Sequence, residues 1–188
     1  MHNRHNPSHI SKLSRFVRII FQVLFIVIPL TTCYAWMVSK TPYDFISSSG
    51  FFTVDIETAP YTTLPISYTT RILAALADLL KDAIVMYSLA VLIHLFRNYE
   101  RCEIFIRDNV KCYQKLSYSI FYWVIGDIIN GVLMSVILSF NNPVGKRVCE
   151  MQVQDTDILM FVLGCICLII SWVMKEGYAL ANENAYTV

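Results

Sequence analysis

Five side chains lie in otherwise apolar runs and are of the types that can do chemistry there. Asp78, Lys81 and Asp82 fall within "ALADLLKDAIV", residues 75–85, and Asp127 and Asn130 within "FYWVIGDIINGVLMSV". On a helix Asp78 and Asp82 are one turn apart and share a face, and Lys81 comes three residues after Asp78, within reach of it. Asn130 follows Asp127 by the same interval, with Gly126 and Gly131 beside them to admit a neighbouring helix closely. A charge in the centre of a membrane costs about 2.5–3.5 kcal/mol on insertion scales, so these groups are expected to face other helices or a partner and not lipid. Four roles follow: polar packing, placement at the outer interface, recognition of a partner, or a path for protons or ions through Asp82 and Asp127.

Other chemistries are missing from the pattern. There is no H-E-x-x-H, no Walker-type glycine loop and no nucleophile–base pairing. Three of the four histidines, His2, His5 and His9, crowd the N-terminal tail. The cysteines are divided between expected spans (Cys33, Cys165, Cys167), one side of the membrane (Cys102, Cys112) and the other (Cys149), which is not a disulfide framework. Catalytic, cofactor-binding and metal-binding residues are therefore expected to be none. The basic clusters lack interleaved aromatic residues, so nucleic acid is not an expected partner.

The elements that must position the five residues are legible from hydropathy. The chain is 56% hydrophobic and 15% charged, well below the quarter that charged residues supply in soluble domains. Ile19 to Val38 is uncharged, Leu116 to Phe140 is broken only by Asp127, Ile158 to Met174 is uncharged, and Ile72 to Phe96 carries the three charges above. Each is long enough to cross a hydrocarbon core of about 30 Å. The expectation is an all-α, polytopic membrane protein with four transmembrane helices in a bundle, at 16–38, 71–96, 117–140 and 158–175. Residues 1–15 are then a tail, 39–70 an outer loop, 97–116 an elbow, 141–157 a second outer loop and 176–188 a second tail. Arg4, Lys12, Arg15 and Arg18 precede the uncharged run of the first span, and Arg97, Arg101, Arg107, Lys111 and Lys115 lie in the elbow. That bias puts both termini and the elbow in the cytoplasm, against Lys40, Arg71, Lys146 and Arg147 on the other side. Antiparallel second and third spans bring Asp127 to the depth of Asp82, which makes a Lys81–Asp82–Asp127 cluster feasible. If the second span starts near Leu79 instead, the charges sit at the outer interface and 66–78 is an amphipathic interfacial segment.

The loop at 39–70 is punctuated by Pro42, Gly50, Pro60 and Pro65, and "FFTVDIE" alternates as a short strand would. Its Phe51, Phe52, Asp55 and Glu57 are the candidate partner-binding residues. "FNNPVGKR" predicts a turn at Pro143 and Gly145. At the end of the chain Gly177 is a candidate helix stop, although the alanines beyond it favour continuation.

The elbow "LFRNYERCEIFIRDNVKCYQKLSYSIF" resembles the central signature of the DUF2975 family of bacterial membrane proteins. Leu95 and Phe96 match its leucine–phenylalanine pair, Cys102, Glu103 and Phe105 its middle segment with cysteine in place of glycine, and Asn109 and Val110 its later pair. Glu176, Gly177, Leu180, Glu183, Thr187 and Val188 are similar to the family's ending. The resemblance implies the four-span layout and a bacterial cytoplasmic (inner) membrane, and it leaves the biochemical role open. The expected function is that of a small non-enzymatic membrane protein acting by protein–protein binding, as accessory subunit, regulatory partner or immunity-type factor. Its expected partners are another membrane protein or a further copy of itself, besides the lipid bilayer. The alternative is a proton- or ion-coupled channel or transporter component.

Overall fold

A computed structural model describes residues 7–38, 41, 44–45, 56 and 58–186. The described chain is all α-helix with turns and no strand: α1 Pro7–Val38, α2 Tyr68–Glu100, α3 Arg107–Ser139 and α4 Asp155–Tyr186. All four are long and apolar enough to cross a membrane. The chain is therefore a multi-pass membrane protein in its helix content. The expected strand at 51–57, Ile56 apart, and the candidate residues Phe51, Phe52, Asp55 and Glu57 lie outside the described residues. Helix ends overrun the expected span ends: α2 continues to Glu100, only 101–106 connect it to α3, and α4 passes through Gly177 to Tyr186.

Burial is reversed relative to a soluble protein. On α2 the large side chains Leu73, Leu76 and Leu80 point outward, while Ala74, Ala75 and Ala77 are buried. Ser117, Ser119, Ser135, Ser139 and Ser171 are all almost completely enclosed. Small residues let backbones approach and hydroxyls hydrogen-bond across helices, which is how helices associate where lipid is as apolar as leucine. The exposed apolar faces are then the lipid faces.

The chain divides into two compact units, residues 1–25, 84–124 and 155–188, and residues 26–83 and 125–154. In the first unit, Ser88 donates to Ser119 Oγ (2.9 Å) and Ser119 to the Leu116 carbonyl (2.8 Å). Ser117 donates to the Gly164 carbonyl (2.9 Å), where a Cβ would lie 3.1 Å from the Phe121 ring. Glycine is what lets α3 and α4 come this close.

The short connection between α2 and α3 is built from the residues that carried the family resemblance. Cys102 N donates to the Tyr99 carbonyl (2.9 Å) and Glu103 N to the Asn98 carbonyl (3.1 Å), the paired bonds of a Schellman helix end. Such an end needs a left-handed residue, and Cys102 has φ 60°. Asn109, fully buried, donates from Nδ2 to the Glu103 and Ile104 carbonyls (2.7 and 2.8 Å) and accepts from Asn98 Nδ2 (2.9 Å). The asparagine thus replaces regular secondary structure as the partner of the connection's carbonyls. In the second unit Gly145, at φ 92°, is the third residue of the expected turn, closed by Lys146 N to the Pro143 carbonyl (3.0 Å).

A non-glycine residue in the left-handed region costs about 1–2 kcal/mol, and glycine returns about 0.5–1 of that through its freer unfolded chain. Cys102→Gly is therefore expected to stabilise the protein by about 0.5–1 kcal/mol, and Cys102→Val to destabilise it. Thermal unfolding in detergent, followed by circular dichroism, checks both signs.

Candidate functional site

The second unit gathers the five interior residues around α2. Asp78 and Asp82 face α1: Trp36 Nε1 donates to Asp78 Oδ2 (2.7 Å) and Thr32 Oγ1 to Asp82 Oδ2 (2.5 Å). Both pairs are one turn apart and run in opposite chain directions, so together they fix an antiparallel register. Thr32 also lies 3.2 Å from the Ile28 carbonyl. Its single proton belongs to the shorter, charge-assisted contact with Asp82. Higher on α2, buried Arg71 donates from Nη1 to the Trp36 carbonyl (2.8 Å), meeting an acceptor that the end of α1 leaves open.

The same stretch of α2 fixes α3. Asn130 Nδ2 donates to Asp78 Oδ1 (2.8 Å), and Lys81 Nζ is 3.2 Å from Asp127 Oδ1. The partners are three residues apart on each helix, again in opposite directions. Of the feasible cluster Lys81–Asp82–Asp127, the structure brings together Lys81 and Asp127, while Asp82 turns to Thr32 on α1. Asp78 is the shared member, with one oxygen bonded to each neighbouring helix.

A cleft of about 450 Å³ opens beside this network. Asp78, Lys81, Asp127 and Asn130 line it, together with Gly131, where a Cβ would meet open space. Its remaining polar wall comes from residues after α3. Ser139 Oγ bonds both the N–H and the carbonyl of Val148 (3.0 Å each), and Glu150 N donates to Ser135 Oγ (3.2 Å). Two serines one turn apart thereby lay the segment back along α3 and carry Glu150, Gln152 and Gln154 to the cleft. Asn142 joins the same loop to the preceding one, accepting from Thr62 Oγ1 and donating to the Tyr61 carbonyl (2.8 Å each).

Trp36, Thr32, Ser135, Ser139 and the 150–154 segment are absent from the sequence-based site. The serine pair on an apolar helix was its one readable trace. Nothing in the sequence marked Trp36 or Thr32 apart from their place near the end of a span.

Chemically the arrangement is a fixed polar surface. Both oxygens of Asp78 accept bonds, Asp82 accepts one, and Asp127 faces an ammonium group. Asn130 is 7% exposed and its Oδ1 has no hydrogen-bond partner among the described residues. Among those residues no three His, Cys, Asp or Glu side chains are grouped so as to hold a metal ion. Asp78→Asn offers one oxygen to two donors and is expected to cost about 1–3 kcal/mol; Trp36→Phe removes one donor only and costs about 0.5–1.5 kcal/mol. Equal thermal stability of both variants and wild type in detergent contradicts the bridging role of Asp78.

Comparison with known proteins agrees with the elbow and tail motifs. Searches of curated proteins and of solved structures each gave no significant match. A family match runs over residues 51–188, from the first loop through α2, α3 and α4. The chain belongs to DUF2975, a family described as proteins of unknown function.

Proposed function

We propose that this protein is a non-enzymatic component of the bacterial cytoplasmic membrane that acts by binding another membrane protein, as accessory subunit, regulatory partner or immunity-type factor. The observation that carries the reading is the cleft of the second unit. The charges on its helices, Asp78, Lys81 and Asp127, are held by partners on the neighbouring helices, so they shape a surface and are not set up to react. Exposed Glu150 and Gln152 at its wall can hydrogen-bond an inserted segment. Lys12, Arg15 and Arg18 early in α1, with Arg97, Arg101, Arg107, Lys111 and Lys115 around the α2–α3 connection, give a positive-inside bias that puts both termini in the cytoplasm and the cleft-lining loops on the outer side.

One observation favours the second reading, a proton- or ion-coupled component. The Lys81–Asp127 pair lines the cleft with side chains 27% and 16% exposed, so solvent reaches an ion pair on membrane-capable helices.

The test is capture of the tagged protein from native membranes in gentle detergent, with a cleft-filling variant alongside. Gly131→Phe projects into open space and leaves the polar network in place. Wild type is expected to retain one stoichiometric membrane companion, and Gly131→Phe to lose it. Recovery of wild type alone, with proton flux in proteoliposomes that Asp127→Asn abolishes, replaces the binding reading with the second one.

A further inference from the structure

The first unit holds a different concentration of charge. Arg15 and Arg18 on α1 and Arg97 and Arg101 at the end of α2 line a groove of about 650 Å³ with Ser11 and Glu100. Four guanidinium groups face one carboxylate. Glu100 is already shared: Arg15 Nε is 2.6 Å from its Oε1 and Arg18 Nη2 is 3.0 Å from its Oε2. Arg97 and Arg101 have no acidic partner among the described residues, and Arg18 Nε is buried there without a hydrogen-bond partner. The groove therefore keeps a formal excess of three positive charges and unused donors in a planar fork geometry. That geometry matches the oxygens of a phosphate, which accepts paired N–H bonds from arginine.

We infer that this groove is a phosphate site, taken by the headgroup phosphate of an anionic phospholipid. Its surroundings point to lipid as the source. On α1 the arginines alternate with Leu13, Phe16 and Ile20, which stand 65%, 63% and 40% exposed and present an apolar face to lipid at the same height. Arg97 in the last turn of α2 and Arg101 just after it close a helix long and apolar enough to span. The groove thus lies where an apolar helix surface gives way to charge, which is the level of phospholipid phosphates. Glu100 preorganises two of the arginines and competes with the incoming anion for them.

The experiment measures lipid retained by the purified full chain in native mass spectrometry, with phosphatidylglycerol against phosphatidylcholine as probes and inorganic phosphate as a competitor. Arg97 and Arg101 are both exposed, so Arg97→Gln with Arg101→Gln leaves the fold intact. The double variant is expected to lower the preference for phosphatidylglycerol about tenfold. Glu100→Gln, which frees Arg15 and Arg18, is expected to raise it. Lys111→Gln with Lys115→Gln removes the same charge from exposed positions outside the groove and is expected to change it little. A phosphate-sensitive site lost in the arginine variant, without lipid preference, supports the phosphate chemistry and assigns it to a soluble ligand. Equal loss in the arginine and lysine variants, or no change in either, overturns the site.

Discussion

A charged side chain inside a membrane-capable helix must find its partners in the protein, and α2 meets that requirement on both sides. Asp78 and Asp82 take donors from α1, and Asp78 and Lys81 take partners from α3. Because each set of contacts repeats at helical intervals and runs antiparallel, sliding either neighbour by one residue breaks every bond in its set. Apolar packing alone would tolerate such slips, since lipid and leucine are equivalent surroundings for a leucine. The polar residues therefore supply register as well as attraction, a role well attested for buried polar groups in helical assemblies.

The cleft follows from that arrangement. Three helices locked through polar side chains and small residues leave space beside Gly131, and the two serines of α3 bring the following segment across to wall it. The first unit is held differently, by hydroxyl-to-carbonyl bonds, a close approach at Gly164 and a helix end closed by Cys102. Its conspicuous charge is mainly basic, in contrast to the mainly acidic, partly buried set of the second unit. The second unit thus concentrates acidic groups bonded across helices, and the first gathers arginines around one shared glutamate.

Much of this was legible in the sequence because it depends on local pattern. Apolar runs of spanning length give the four helices, and the spacings 78–82 and 127–130 place those residues on common faces. The turn at Pro143 and Gly145 could be read in the same way, and the elbow motifs pointed to the family that the comparison matched. What could not be read was rotation. Depth put Asp127 level with Asp82, yet helix α2 turns Lys81 toward Asp127 and Asp82 toward Thr32, and sequence spacing holds no information on which face meets which neighbour. Trp36 illustrates the same limit. An indole near the end of a span reads as an interface anchor, and only the packed helices reveal its N–H on Asp78. The walls of the cleft were hidden for another reason: residues 150–154 reach it through backbone bonds to serine side chains, a contact without any periodicity.

The most direct test of polar register is a double-mutant cycle on Lys81 and Asp127, with Lys81→Met, Asp127→Leu and the combined variant unfolded in the same detergent. If the pair joins α2 to α3, each single change leaves an unpaired charge and destabilises the protein more than the double change does, with a coupling of about 1–3 kcal/mol. Additive effects, with the double variant as unstable as the two single changes combined, would contradict the account.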